Sequence, residues 1–560
     1  MVNNVRHLLL LLILFLSAPA FATDYYVASD GSGANCTSGD PCAIATAQTA
    51  SSAGDTIYFD NTDTWTATGG TYWLSAKGGV LYDGETWGGG TRATVTLTGN
   101  YTSVLYIGAD HATYTTEIKG FKVNINSNQS SGANINWPAS NDLTGALKRI
   151  ADCEIYGMTG SAVVYGAKMG AIGGDSVVNA EYDNLNIHDM NTTAIAIYPA
   201  VNCETCLVDQ VTVSNCTIGP NIDGGAFAGA GSGIIIKGNV HNIVVQNNTI
   251  TDAVTNNLLI QDDGTQGGCT STGHFRYNTI YAANGDSGIE TQCSSSYPLE
   301  NVWIYGNTVY NNPKSGIDFV NNNGPGSTVH VINNSLYNNG SAGTYHEISI
   351  DSSGSYTVLD VRNNVVYSNQ GDVCINDAAG DITAHSNNLV YRASGTAVNI
   401  GGTTYTSAEV TNWEATGLGG DPLYTSASDF TLQSESPAIN SGVPLTVTDG
   451  ASSGYNITVA DAGGFVEPLN NRAGDTIQLI GDETTATIVS INYSTNVITV
   501  DTSLEWESGV GVTLTYSGTT VDRGAEEYET EAEPEAPAAT GSITAGSGTI
   551  SAGSGSIAAQ

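Results

Sequence analysis

Lys237, Asp262, Asp263, Glu290 and Asp318 combine one cation with clustered carboxyls. These are the residue types needed to cleave a glycosidic bond by acid–base chemistry, or to abstract a proton beside a carboxylate. Glu290 and Asp318 sit at the centres of two similar triplets, Ile289-Glu290-Thr291 and Ile317-Asp318-Phe319. If such triplets are strands on adjacent rungs of a stack, the two carboxyls share an outward column about 5 Å apart. That is close to the spacing of a retaining glycosidase pair. Asp262 or Asp263 would stand two rungs, about 10 Å, from Asp318. Asp262, Asp263 and Glu290 also offer hard oxygens to Ca2+, and Lys237 is then the base of a lyase. His274, Arg276 and Arg362 are further candidate bases. Against all of these stands a solvated acidic face with no chemistry. A second set, Tyr281, Tyr310, Tyr337, Tyr367 and Tyr391, recurs once per repeat. Such an aromatic ladder either grips sugar rings or shields a turn.

A repeat positions these residues. Asn247-Asn248-Thr249-Ile250 returns as Tyr277-Asn278-Thr279-Ile280, Gly306-Asn307-Thr308-Val309, Asn333-Asn334-Ser335-Leu336, Asn363-Asn364-Val365-Val366 and Asn387-Asn388-Leu389-Val390. Weaker copies lie at Asp152-Cys153, Asn184-Leu185 and Asn215-Cys216, and the steps run from 24 to 32 residues. About ten residues after each phrase comes an apolar triplet, such as Ile234-Ile235-Ile236 or Leu258-Leu259-Ile260. Period-two alternation without helical periodicity marks these as short strands. A unit of this length cannot bury its own apolar face, whereas stacked coils can. Stacking places like residues above one another, so Asn278 and Asn307 should meet across one rung, and Cys153 and Cys216 should point inward. A sandwich with Asn-rich turns would not demand the same residue in every repeat.

Composition narrows the partners. There are 54 acidic residues against 15 Lys and Arg, a net charge of −39. That balance excludes nucleic acid and anionic membrane surfaces and favours divalent cations. Residues 1–22 read as a secretory signal, with Arg6 and His7 before the Leu8–Leu16 apolar run and Ala20-Phe21-Ala22 as a cleavage site. The expectation is a secreted, extracellular or cell-surface protein with no membrane span. Export permits disulfides. Of 9 cysteines, Cys36 and Cys42 are expected to pair, and Cys203-x-x-Cys206 reads as a local disulfide or free thiols rather than a zinc knuckle.

The Asn-Asn-Thr-Ile-like phrases resemble the right-handed parallel β-helix repeat of the pectate-lyase-like superfamily. The start, Tyr25-Tyr26-Val27-Ala28-Ser29-Asp30-Gly31 followed by Pro41-Cys42-Ala43-Ile44-Ala45 and Ala53-Gly54-Asp55-Thr56-Ile57-Tyr58-Phe59, resembles that family's cap, which implies a short helix there. Ser436-Pro437-Ala438-Ile439-Asn440-Ser441-Gly442 and Asp522-Arg523-Gly524-Ala525-Glu526-Glu527-Tyr528 resemble its closing phrases. The resemblance implies an all-β, right-handed parallel β-helix solenoid over residues 23–442. Residues 443–520 read as a small β-barrel-like insertion, with Tyr493-Ser494-Thr495-Asn496 as a turn. A closing segment, 521–530, and a flexible Glu/Pro then Gly/Ser-rich tail, 531–560, follow.

The fold hosts lyases, hydrolases, esterases, spikes and adhesins. The expected function is therefore a glycan-handling protein, a polysaccharide lyase or glycoside hydrolase acting in a groove along the helix. The alternative is a non-catalytic surface or matrix protein that binds glycan or Ca2+. Gln261-Asp262-Asp263 resembles the acidic motif of polygalacturonase-type hydrolases, which would place Asp263 among catalytic acids. Gly273-His274-Phe275 matches that family's Gly-His-Gly only in part, and no Arg-Ile-Lys follows.

Overall fold

The computed structural model describes residues 22–109, 111–127, 132–139, 143–158, 164–171, 176–197, 199, 206–222, 231–262, 268–294, 297–320, 326–350 and 356–529. The signal-like segment, Cys203, Asp263 and the tail lie outside the described residues, apart from Ala22 at the signal's end. The rest is almost entirely β, as the repeat predicts. Three long sheets run along a solenoid. Sheet 1 has 13 strands, from Asp24–Val27 to Ala384–Ser386. Sheet 2 also has 13, from Gly70–Ala76 to Thr403–Tyr405, and sheet 3 has 12, from Thr64–Ala67 to Leu389–Tyr391. One coil visits sheet 1, sheet 3 and sheet 2 in turn, as with Ser271–Arg276, Thr279–Tyr281 and Ile289–Gln292. The cap holds the expected short helix, Ile44–Ala50. Parallel stacking continues to Val398–Ile400, where the chain reverses into an antiparallel partner at Thr403–Tyr405. Among the described residues no helix is long and apolar enough to cross a membrane.

The alternation explains the core. In sheet 2, Ile234, Leu258, Ile289, Ile317, Ile348 and Ile375 stack in register, all fully buried. In sheet 3 the inward column is Ile250, Ile280, Val309, Leu336, Val366 and Val390. Each such side chain contributes about 1.5–3 kcal/mol of burial. β-Branched residues suit this pleated, one-sided surface.

The Asn phrase marks the bend between sheets 1 and 3. Its first residue adopts left-handed backbone at Asn247, Gly306, Asn333, Asn363 and Asn387, which favours Asn and Gly. The second residue builds a ladder. Asn278 donates its backbone N–H and Nδ2 to Asn307 Oδ1 (3.0 and 2.9 Å), so these two side chains meet across one rung as expected. Asn307 does the same to Asn334, Asn334 to Asn364, and Asn364 to Asn388. The last donors, on Asn388, meet the two oxygens of Glu414. A carboxylate is acceptor-only, so it ends the ladder without leaving a donor unmet. A second ladder, from Asn312 to Asn339, ends on the Glu347 carboxyl, which accepts the backbone N–H and Nδ2 of Asn339. Cys153 and Cys216 are free and buried, as their place in this column predicts. Asn307→Ala removes an acceptor from two buried donors of Asn278 and a donor from the Phe275 carbonyl. The expected loss is about 2–4 kcal/mol, read by chemical denaturation.

The insertion forms a six-stranded antiparallel sheet, with strands Thr446–Val447, Gly511–Leu514, Thr476–Leu479, Thr485–Asn492, Val497–Trp506 and Ser452–Thr458 in spatial order. The turn expected at 493–496 joins two of these strands. The core of the insertion includes Ile457, Ile477, Ile488, Ile498 and Val512. It is shared with Trp303 and Ile332 on the outer face of sheet 1, so the module lies on that sheet. The segment 466–475 extends the contact. Asn470 Nδ2 donates to the carbonyls of Ala180 and Gln210, and Arg276 makes two hydrogen bonds to Asp475 (2.8 and 2.7 Å). The closing segment then returns to the solenoid, where Arg523 donates to the carbonyls of Asn388, Thr416 and Ser441. Cys36 and Cys42 form the expected disulfide.

Candidate active site

Glu290 and Asp318 are register partners on adjacent strands of sheet 2, in the outward column expected for them. Below them the column is apolar, with Leu259 and Ile235, and above them it continues as Ser349 and Asn376. The two carboxyl residues are only 6% and 3% exposed. Two residues not singled out in the sequence complete the cluster. Asp286 and Lys314 precede Glu290 and Asp318 by four positions each, and the bend before each strand folds them back towards it. They form a 2.7 Å ion pair between rungs, and the Asp286 carboxyl is within hydrogen-bonding reach of Glu290. Ser287 Oγ donates to Asp318 Oδ2 at 3.1 Å. The repeated four-residue offset was the available signal for Asp286 and Lys314.

Burial raises the pKa of Glu290 to about 8, assisted by the negative charges of Asp286 and Asp318 and opposed by Lys314. The carboxyl therefore keeps its proton near neutrality, the requirement for a general acid. The same shift makes stability depend on pH. The unfolded chain ionises this group near its ordinary value of 4.5, whereas the folded chain does so only near 8. Its contribution is therefore complete below about pH 4.5 and is lost as pH rises through 8. Glu290→Gln should leave the melting temperature nearly unchanged at pH 5 and raise it relative to the parent at pH 8.5, a difference that paired thermal scans will measure.

The other expected residues lie apart from this cluster. Lys237 is in register with Gln261 and Gln292, one outward position further along the strand. Glu290 is two rungs and two residues away, a separation of about 12 Å. Asp262 has the inward parity of Leu258 and Ile260, and its carboxylate accepts the N–H of Ser294 at the strand end. Among the described residues, no three His, Cys, Asp or Glu side chains are arranged to hold a metal ion. His274 and Arg276 lie on sheet 1 beside the inserted module, where Arg276 is committed to Asp475. Arg362 donates to the carbonyl of Leu445.

The Tyr column forms on the outer face of sheet 3. Tyr281 stacks on Tyr310 (4.9 Å) and Tyr337 on Tyr367 (4.8 Å), and Tyr391 follows. A hairpin of Tyr424–Ser426 and Asp429–Leu432 lies on its middle, with Phe430 packed on Tyr310 and Tyr337.

The family model for the right handed beta helix region matches residues 122–336. Among solved structures, the chain is similar to pectate lyase Pel9A at 15% identity and a TM-score of 0.45, over 92% of this chain and 98% of that one. It is similar to the A-module of the mannuronan C-5 epimerase AlgE4 from Azotobacter vinelandii at 14% identity and a TM-score of 0.44, over 62% and 90%. It is also similar to the Dettilon tailspike protein at 13% identity and a TM-score of 0.40, over 90% and 92%. Among curated proteins, none matches the chain. The in-register parallel sheets give the chain the fold of a right-handed parallel β-helix, and the family match, which spans the rungs of Glu290 and Asp318, lies within it.

Proposed function

We propose that the protein is an exported glycoside hydrolase that cleaves an extended polysaccharide lying along sheet 2, with Glu290 as general acid and Asp318 as its partner carboxylate. The observation that carries this reading is the pair itself. Two carboxyls stand in register on neighbouring rungs, and one is held protonated by burial and by the other's charge. In the reaction, Glu290 protonates the glycosidic oxygen while the Asp318 carboxylate attacks the anomeric carbon. Glu290, now ionised, activates the water that releases the sugar. A rung spacing of about 4.8 Å corresponds to retention of anomeric configuration. The disulfides Cys36–Cys42 and Cys269–Cys293 support work outside the reducing cytoplasm.

The test is a panel of neutral and acidic polysaccharides incubated with the full protein, with and without Ca2+, following reducing ends and unsaturated uronate absorbance together. New reducing ends without unsaturation, independent of Ca2+, support the hydrolase. Unsaturated product that requires Ca2+ would move the chemistry to a lyase. Binding without cleavage would leave a surface or matrix protein.

A further inference from the structure

A cleft of about 260 Å³ lies between the inserted module and the outer face of sheet 1, away from the Glu290 column. One wall is three consecutive rungs. Gln210, Asn242 and Thr272 occupy equivalent positions there, each in left-handed backbone (φ 54, 45 and 56°). Asn179 and Asn301 on the flanking rungs are left-handed too (φ 58 and 54°), so this conformation is a recurrent feature of sheet 1. Beside them lies His274, in register with Val244, and only 4% exposed. The module supplies the opposite wall through Val466, Glu467, Pro468, Leu469 and Tyr493.

The polar groups of this cleft are unspent. Among the described residues, neither ring nitrogen of His274, nor the Gln210 side-chain amide, nor the Thr272 hydroxyl has a hydrogen-bond partner within the protein. These groups open onto the cleft and can hydrogen-bond the hydroxyls of a ligand. Burial, with Arg276 close behind, drives the His274 pKa down to about 3, so the ring is neutral and offers one donor and one acceptor. Val244, Val466, Pro468 and Leu469 give the same cleft an apolar side.

We propose that this cleft binds one uncharged pyranose ring, separately from the groove of sheet 2. The class follows from the lining. Several neutral donors and acceptors opposite an apolar wall match a ring that has hydroxyls on its rim and C–H groups on its face. Glu467, the charged member of the lining, repels an anion. Arg276 and Arg472 near His274 repel a cation. The volume is below the roughly 300–1,000 Å³ of sites for larger ligands, which restricts occupancy to about one ring.

The experiment is calorimetric titration and saturation-transfer NMR of the full protein with glucose, galactose, mannose, xylose and galacturonate. At least one neutral sugar should bind saturably in the millimolar range, and galacturonate should not. Gln210→Ala, on a partly exposed side chain, and His274→Phe, which preserves the stack on Trp303, should each weaken that binding about tenfold or more. Glu290→Gln should leave it unchanged, so loss of the hydrolase reading and loss of this site are separate results. The proposal is overturned if no neutral sugar binds, if galacturonate binds equally well, or if affinity survives Gln210→Ala and His274→Phe. It is also overturned if binding is lost in Glu290→Gln.

Discussion

Glu290→Gln is expected to lower turnover of the cleaved polysaccharide by about 10²–10⁴-fold while the fold is retained. The amide keeps the shape of the carboxyl but has no proton to give to the leaving oxygen. The deficit should shrink for an aryl glycoside whose leaving group departs without protonation. Asp318→Asn should behave differently. It removes the attacking oxygen, so activity falls on polysaccharide and aryl glycoside alike. It also lowers the Glu290 pKa, because the Asp318 charge is one of the groups that raises it. The alkaline limb of the pH–rate profile for any residual activity should then move to lower pH. A purely structural carboxyl pair predicts stability changes with no split between substrates. Full activity in both variants would place the centre elsewhere on the solenoid.

Asp475→Ala should cost about 3–5 kcal/mol, the largest single-site stability loss expected in the molecule. Asp475 accepts two hydrogen bonds from Arg276 and one from the N–H of Val466, and it pairs with Arg472. Without it, the Arg276 guanidinium, only 3% exposed, is left charged and buried beneath the module. The loss should appear as release of the module from sheet 1, measured by faster proteolysis within 443–520 and by hydrogen exchange at Trp303 and Ile332. Replacing Arg276 and Asp475 together by apolar residues should recover much of the stability, because no unpaired charge remains.

Much of this molecule is written in the sequence because stacking repeats the same local problem in every coil. The bend before sheet 3 needs left-handed backbone followed by a residue that both donates and accepts, and Asn at both positions is the answer visible in Asn333-Asn334 and Asn363-Asn364. Register follows from the same repeat, so Glu290 and Asp318 were bound to share a column once Ile289 and Ile317 turned inward. The inward turn of Asp262 was legible by parity too, since it follows Leu258 and Ile260 at steps of two.

What the sequence leaves open is everything made between distant parts of the chain. The docking of residues 443–520 on sheet 1 joins Asp475 to Arg276 across 199 positions, and no periodicity encodes that contact. It also encloses His274, which the sequence offers only as a possible base and the fold makes a neutral, buried ring. The hairpin that covers Tyr310 and Tyr337 is a contact of the same kind. The protonation of Glu290 belongs with them. Its residue type and column come from the repeat, but the desolvation that holds its proton depends on the packing around it. Local chemistry recurs along a solenoid and is read as pattern, whereas burial and electrostatics sum over neighbours that only the folded chain brings together.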